Sequence, residues 1–228
     1  KALRALNFDL VLIGKDSERL HAAQNELEKI TSHNSILTSY TCDLENPSDI
    51  TSLIEKIKSN HKTPDILMLA HGVMSAKMSK TLKTDLVEWR RVMSINLDSN
   101  FHIINSLAPA MAEARSGRVI IFSACLGRMS GPGNAGGLAP YRISKAGVNA
   151  LVRNLAHETG LGSRGFLIDA VCPNHSRTDM GGPDAPLSAE EGARTAIWLA
   201  TREFNPNGET EQEKTTGVLW EENQVIPW

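Results

Sequence analysis

Short apolar runs and longer amphipathic stretches take turns along this chain. Residues 9–13, Asp9-Leu10-Val11-Leu12-Ile13, form an apolar run stopped by Gly14, the pattern of a buried strand. Residues 17–30 then place Leu20, Ala23, Leu27 and Ile30 on one helical face. Before both, Ala2, Leu3, Ala5 and Leu6 look like the tail of an amphipathic helix. Residues 36–40 read as a second strand. Asn46-Pro47 opens a helix, with Asn as cap and Pro in the first turn, and turns Ile50, Leu53, Ile54 and Ile57 inward. Residues 65–70 are another apolar strand. A long helical stretch at 84–114 turns Trp89, Val92, Met93, Leu97, Phe101 and Ile104 inward, and Pro109 is expected to kink or fray its end.

Arg118-Val119-Ile120-Ile121-Phe122 is uninterrupted and rich in β-formers, so a central strand is expected there. A Gly-rich loop at 127–139 leads to a helix at 141–159, closed by Gly160. Residues 166–172 read as a strand stopped by Pro173. Ser188 and Glu191 form a capping box for a helix through Trp198 and Leu199. A last short strand is expected at 217–220, after a polar surface loop at 205–216.

This β-α-β-α order predicts one α/β domain over residues 1–228, a doubly wound parallel sheet with helices on both faces in three layers. Ligands of such sheets bind at the carboxyl ends of the strands, where Gly14, Asp43, Gly72, Ser123 and Pro173 fall. The 228 residues suit a single domain with a substantial core. A net charge of −2 argues against a nucleic-acid partner held by bulk electrostatics. No apolar run reaches the ~18 residues needed to cross a bilayer, so no membrane partner is expected. No signal-peptide pattern is visible, and a cytoplasmic setting is the expectation. The cysteines Cys42, Cys125 and Cys172 are widely spaced and suggest neither a disulfide framework nor a metal-ligand cluster. His21, His33, His61, His71, His102, His157 and His175 show no ligand-spaced pair, so no metal is expected.

The candidate chemistry is concentrated in Tyr141-Arg142-Ile143-Ser144-Lys145. One helical turn separates phenol from ammonium, so both share a face. A nearby cation favours the phenolate and lowers its pKa, and a phenol so tuned can exchange a proton with a substrate oxygen.

With Tyr141 and Lys145, the chain carries Asn96 in Ser94-Ile95-Asn96-Leu97 and a Pro173 to Thr178 segment that departs from Pro-Gly-x-x-x-Thr only at Asn174. It also carries Arg177-Thr178-Asp179-Met180-Gly181-Gly182-Pro183 and the ending Val225-Ile226-Pro227-Trp228. On these motifs it resembles the short-chain dehydrogenase/reductase family, and within it the carbonyl-reductase-like members. The resemblance implies a Rossmann-type fold and hydride transfer between NAD(P)H and a carbonyl or alcohol carbon. It implies Tyr141 as general acid/base and Lys145 as the group that tunes Tyr141 and binds the nicotinamide ribose. Asn96 would hold a water in the proton relay, Thr178 would contact the nicotinamide carboxamide, and Pro173 counts among the cofactor-binding positions. Asn96 and Thr178 also have plainer readings, as helix-satisfying and turn residues. Gly14 stands where NAD-preferring relatives carry an acid, and Lys15 follows, which favours NADP(H) over NAD(H). Asp43 matches the acid that reads the adenine amino group. Leu44 beside it and Gly72 count among the cofactor-binding positions. The resemblance also implies a homodimer or homotetramer paired through the 84–114 and 141–159 helices, with a monomer as the alternative.

Four departures qualify the resemblance. The family opens with a strand and a Gly-rich phosphate turn, so roughly twenty residues, including the central strand, are expected to precede Lys1 in the whole protein. The family's Ser-Ser-x-x-Gly is here Ser123-Ala124-Cys125-Leu126-Gly127, which puts Ala124 at the carbonyl-polarising position. Ser123, one residue early, remains a catalytic candidate only if a bulge re-aims it. The family's Asn-Asn-Ala-Gly is Leu69-Ala70-His71-Gly72, with His71 expected in a partly exposed loop. Asn174 replaces a glycine, and Asn tolerates a positive φ. A catalytically silent relative with a binding or assembly role is therefore the alternative. The substrate pocket is expected around 127–139 and 180–186, whose Gly, Ala, Pro and Met content suggests an apolar carbonyl compound.

Overall fold

The computed structural model describes residues 1–30, 35–75, 79–131 and 135–228. His33 and residues 132–134 of the predicted pocket loop lie outside the described residues. The chain divides into two compact units, residues 1–60 and 61–228, and its strands are hydrogen-bonded in two sets.

In the first unit, α1 (Ala2–Ala5) precedes β1 (Leu10–Gly14), α2 (Ser17–Glu28), β2 (Leu37–Thr41) and α3 (Pro47–Asn60). β1 and β2 are parallel, with Leu10 opposite Leu37 and Gly14 opposite Thr41. Asp16 starts α2 by accepting from the N–H groups of Glu18 and Arg19, both at 3.0 Å. Asn46 caps α3 through Ser48 N–H at 3.1 Å, and all four predicted positions, Ile50, Leu53, Ile54 and Ile57, are buried. The inward face of α2 is narrower than its periodicity implied: Leu20 and Leu27 are buried and Ala23 is exposed. β1 is covered on one face, where Leu20 lies against Gly14. Val11 and Ile13 point the other way and are exposed, so β1 is not the doubly buried strand its apolar run suggests. In α1 the buried residue is Arg4, which donates to the carbonyl of Ser35 at 2.7 Å, while Leu6 is exposed.

The second unit contains β3 (Ile66–Leu69), α4 (Leu86–Met93), α5 (Ser99–Glu113), β4 (Gly117–Phe122), α6 (Ala139–Glu158), β5 (Phe166–Val171), α7 (Ala189–Thr201), α8 (Glu211–Lys214), β6 (Leu219–Glu221) and β7 (Gln224–Ile226). The strand order is β3-β4-β5-β6-β7, parallel except for the β6-β7 hairpin. β4 is flanked on both sides, as its composition predicted. Its period-2 alternation distributes the helices: Arg118 donates to the Leu199 and Arg202 carbonyls at the end of α7, whereas Ser123, on the opposite face, reaches α6. The expected long helix at 84–114 is interrupted by a π turn (Ser94–Asp98) between α4 and α5. Pro109 lies within α5, which continues past it to Glu113, and Phe101 is exposed rather than inward. Among the described residues no helix is long and apolar enough to cross a membrane.

Two features escaped the sequence reading. The hairpin turn uses Glu222 and Asn223, both left-handed with φ of 50° and 60°, as a tight two-residue turn matching the strand twist requires. The stretch 205–216 is more than a polar loop: it contains α8 with its own Thr210–Glu213 capping box and ends on buried Thr216. Thr216 serves Asp169, an acid inside the otherwise apolar, fully buried β5. The Asp169 carboxylate accepts from Arg202 at 3.1 Å, Thr216 Oγ1 at 3.1 Å, Gly217 N–H at 3.0 Å and Trp220 Nε1 at 2.9 Å. The Arg202 guanidinium packs over Trp198 and Trp220, at 4.9 and 4.8 Å from their ring centroids.

Candidate active site

Helix α6 carries the candidate pair. Leu138 precedes it in a left-handed conformation (φ 52°), and Pro140 falls in its first turn, where a missing N–H costs nothing. The Tyr141 N–H is held by Ser75 Oγ at 3.0 Å, which ties the helix start to the segment after β3. Tyr141 and Lys145 are both buried, at 6% and 3% exposure, with the ammonium 5.9 Å from the phenol ring centroid. Lys145 Nζ donates to the Phe122 carbonyl at the end of β4, at 2.6 Å. Gly72 closes the other side: a Cβ there would sit 3.3 Å from Lys145 Nζ and 3.4 Å from Asn96 Oδ1, so glycine lets the loop approach both.

Asn96 sits in the π turn and is fully buried. Its side-chain oxygen accepts from Val73 N–H at 2.7 Å, and its amide donates to the Val73 carbonyl at 2.9 Å and to Ser144 Oγ at 3.0 Å. Its side chain thus clamps the Gly72-Val73 loop to α6, and its backbone carbonyl already accepts from Asn100 at 2.7 Å. A π turn is a recurrent mark of functional sites, but no glycine or proline in Ser94–Asp98 announces one.

The electrostatics differ from the expectation for Tyr141. Burial pushes its phenol up to about 12, helped by the Cys172 and Cys125 thiols, rather than down. The phenolate would lose its water, and the ammonium is drawn to the Phe122 carbonyl instead of the hydroxyl. The Tyr141 hydroxyl has no protein hydrogen-bond partner among the described residues. Burial brings Lys145 down to about 8. His71 is brought down to about 4, by burial and then by the charge on Lys145. His71 lies in the loop after β3 and is partly exposed. Ser99 Oγ donates to the Ile95 carbonyl at 2.6 Å, so its oxygen is left to accept from His71 Nε2–H at 2.8 Å.

Ser123 is not re-aimed. Its hydroxyl donates to Asn149 Oδ1 at 2.5 Å and lies 3.3 Å from the Lys145 carbonyl, on the α6 side of the strand. Ala124 is buried in extended backbone and supplies no hydroxyl. Thr178 acts as a turn residue, accepting from Gly181 N–H at 3.2 Å, and the Pro173 carbonyl accepts from Ser176 Oγ at 2.9 Å. Asn174 does adopt the left-handed region (φ 56°). In the first unit, Lys15 and Asp43 pair at 2.7 Å, each favouring the other's charged form, and Leu44 is half-buried in the next position.

Folding brings two of the widely spaced cysteines together. Cys125 and Cys172, 47 residues apart, converge, with Cys125 N–H donating to Cys172 Sγ at 3.1 Å. Their sulfurs and a Glu221 carboxylate oxygen all lie within 4.8 Å of one another. Spacing along the chain could not show this, because the pairing of β4 with β5 and of β5 with β6 brings the segments together. Cys42, in the first unit, is buried, and burial pushes its thiol up to about 11.

Solved structures with this fold include a short chain dehydrogenase/reductase family protein, TM-score 0.78 at 19% identity, covering 96% of this chain and 86% of that one. Another, from Burkholderia multivorans with bound NADP, has a TM-score of 0.75 at 21% identity, covering 97% and 89%. The fold is the Rossmann-like α/β fold. Residues 1–186 match the short chain dehydrogenase family model, and the chain belongs to that family. It is 33% identical over 138 residues to the 3-oxoacyl-[acyl-carrier-protein] reductase FabG of Escherichia coli (strain K12), covering 60% of this chain and 53% of that protein. The chain thus spans about half the length of that relative. The protein of the same name from Rickettsia prowazekii (strain Madrid E) is 28% identical over 180 residues, 79% of this chain and 67% of that one.

Proposed function

We propose that this chain is an NADP(H)-dependent oxidoreductase that interconverts a carbonyl and an alcohol, with Tyr141 as the general acid/base. The observation that carries this reading is the buried Tyr141–Lys145 pair, gathered with Gly72 and Asn96 at the ends of β3 and β4. The residues fit a dinucleotide. Lys145 has three N–H donors and uses one on Phe122, leaving two for ribose hydroxyls and the phenol. The nicotinamide, when bound, supplies the hydride. Lys145, with Tyr141, Gly72, Pro173 and Thr178, would hold the nicotinamide ribose end. Within residues 1–60, Lys15 is the cation for a 2′-phosphate, which would take the place of Asp43 as its partner. Asp43 and Leu44 would meet the adenine. NADP is present in the Burkholderia protein and in a metagenomic short-chain oxidoreductase of the same fold.

Tyr141 gives its proton to the carbonyl oxygen as that oxygen gains charge. The charge on Lys145 stabilises the phenolate that results, and the Asn96 clamp holds the loop that walls the pair. The similarity to the Escherichia coli 3-oxoacyl-[acyl-carrier-protein] reductase supports carbonyl reduction. Exposed Leu86, Val87 and Phe101 on α4 and α5 support a homo-oligomer. The apolar substrate would enter beside 127–131, 135–139 and 180–186.

Lys145 sets the expected pH profile. Its ammonium is present below about 8 and lost above it, so kcat/KM for carbonyl reduction should fall as pH rises through about 8. The limb lies well below the ordinary tyrosine value of ~10. A profile flat through the alkaline range, measured at saturating NADPH, would remove Lys145 from this role.

A second reading, a catalytically impaired or silent member, is favoured by one observation: Ala124 has no hydroxyl and that of Ser123 is bound to Asn149. Restoring the donor decides between them. Ala124→Ser should raise kcat/KM by ~100-fold if the rest of the site is competent. No gain, together with no quenching of protein fluorescence by NADPH, supports the silent relative.

A further inference from the structure

We propose that Cys125, Cys172 and Glu221 form a Zn²⁺ site with three protein ligands, the fourth position being left to water. The three donors come from separate parts of the fold: the turn after β4, the end of β5 and the last residue of β6. All three ligand atoms already lie within 4.8 Å of one another, a separation that small side-chain rotations bring to the edges of a zinc tetrahedron. Two sulfurs and one carboxylate oxygen suit a borderline-soft cation and disfavour Mg²⁺ or Ca²⁺.

Two further observations point to a ligand. Glu221 Oε2 is buried and has no hydrogen-bond partner among the described residues, an arrangement that costs free energy unless something binds it. The Cys125 N–H donates to Cys172 Sγ at 3.1 Å, a backbone contact that fixes the position of one ligand sulfur. Binding displaces two thiol protons and forms two Zn–S bonds and one Zn–O bond, with no change in oxidation state. The cation would tie the loop after Ala124 to the ends of β5 and β6. The inference stands independently of the oxidoreductase reading, since it requires no turnover.

The test uses the whole chain, reduced with a phosphine and stripped of metal. Zn²⁺ titrated against a chromophoric chelator should bind one ion per chain and raise Tm. Co²⁺ in its place should give thiolate charge-transfer bands and the visible bands of tetrahedral coordination. Cys125→Ser should abolish both signals, and Glu221→Gln should weaken Zn²⁺ binding at least ~10-fold. Cys42→Ser, which alters none of the three ligands, should change neither. Cys125 is partly exposed, so its variant should fold, and circular dichroism checks this. Two results overturn the site: no Zn²⁺ uptake by the reduced chain, or uptake that survives Cys125→Ser.

Discussion

Tyr141→Phe is expected to reduce turnover by ~10²–10⁴-fold while leaving the fold intact, because it removes one oxygen and no packing. The Tyr141 hydroxyl carries no hydrogen bond to the protein among the described residues. Its loss should therefore leave the thermal midpoint almost unchanged. Burial also sets the direction in which Tyr141 is ready to pass its proton. With burial holding the phenol at about 12, Tyr141 is protonated throughout the working range and is ready to act as an acid in the reductive direction. In the oxidative direction it must first lose that proton, which requires the positive charge of Lys145. The variant should therefore lose reduction and oxidation together. Single-turnover hydride transfer from NADPH, followed by absorbance, measures the chemical step alone. Turnover retained within a few-fold by a folded Tyr141→Phe chain would end the case for this residue.

The largest stability effect is expected far from that chemistry. Asp169→Ala should destabilise the chain by about 3–5 kcal/mol, the cost of leaving one member of a buried ion pair uncompensated. Asp169 and Arg202 are 3% and 6% exposed, and each is tied by several further hydrogen bonds. Removing the carboxylate strands the Arg202 guanidinium between two indoles and frees the donors of Thr216, Gly217 and Trp220. Urea unfolding at pH 7 provides the measurement, with a lowered midpoint and an unchanged m-value as the expected result. The exposed Lys1–Glu26 pair, by contrast, should be removable with little effect. A loss from Asp169→Ala no larger than a surface substitution would show that the pair is not a keystone of β5 and β6.

Much of the architecture could be read from local pattern. The four inward isoleucine and leucine positions of α3, the Ser188–Glu191 capping box and the central place of β4 all appear where periodicity and capping chemistry put them. These depend on residues within a turn or two of one another. Burial was harder to read. Val11, Ala23 and Phe101 lie on apolar patterns yet are exposed, because periodicity shows that a face is apolar and not that something covers it. The β6-β7 hairpin was missed, since Glu222-Asn223 is a weaker turn signal than one containing glycine.

At the candidate site the one-turn spacing of Tyr141 and Lys145 was visible in the residues alone. So were the departure at Ala124 and the tolerance of Asn174 for a left-handed backbone. Such properties follow from covalent spacing and helix or strand period. The folded chain settled the rest. It directed the Lys145 ammonium to the Phe122 carbonyl, raised the phenol instead of lowering it and bound Ser123 to Asn149. It also joined Cys125 to Cys172 and enclosed Asp169 within aromatic walls. Desolvation and long-range convergence exist only after distant segments have packed, and no pattern within one segment encodes their balance.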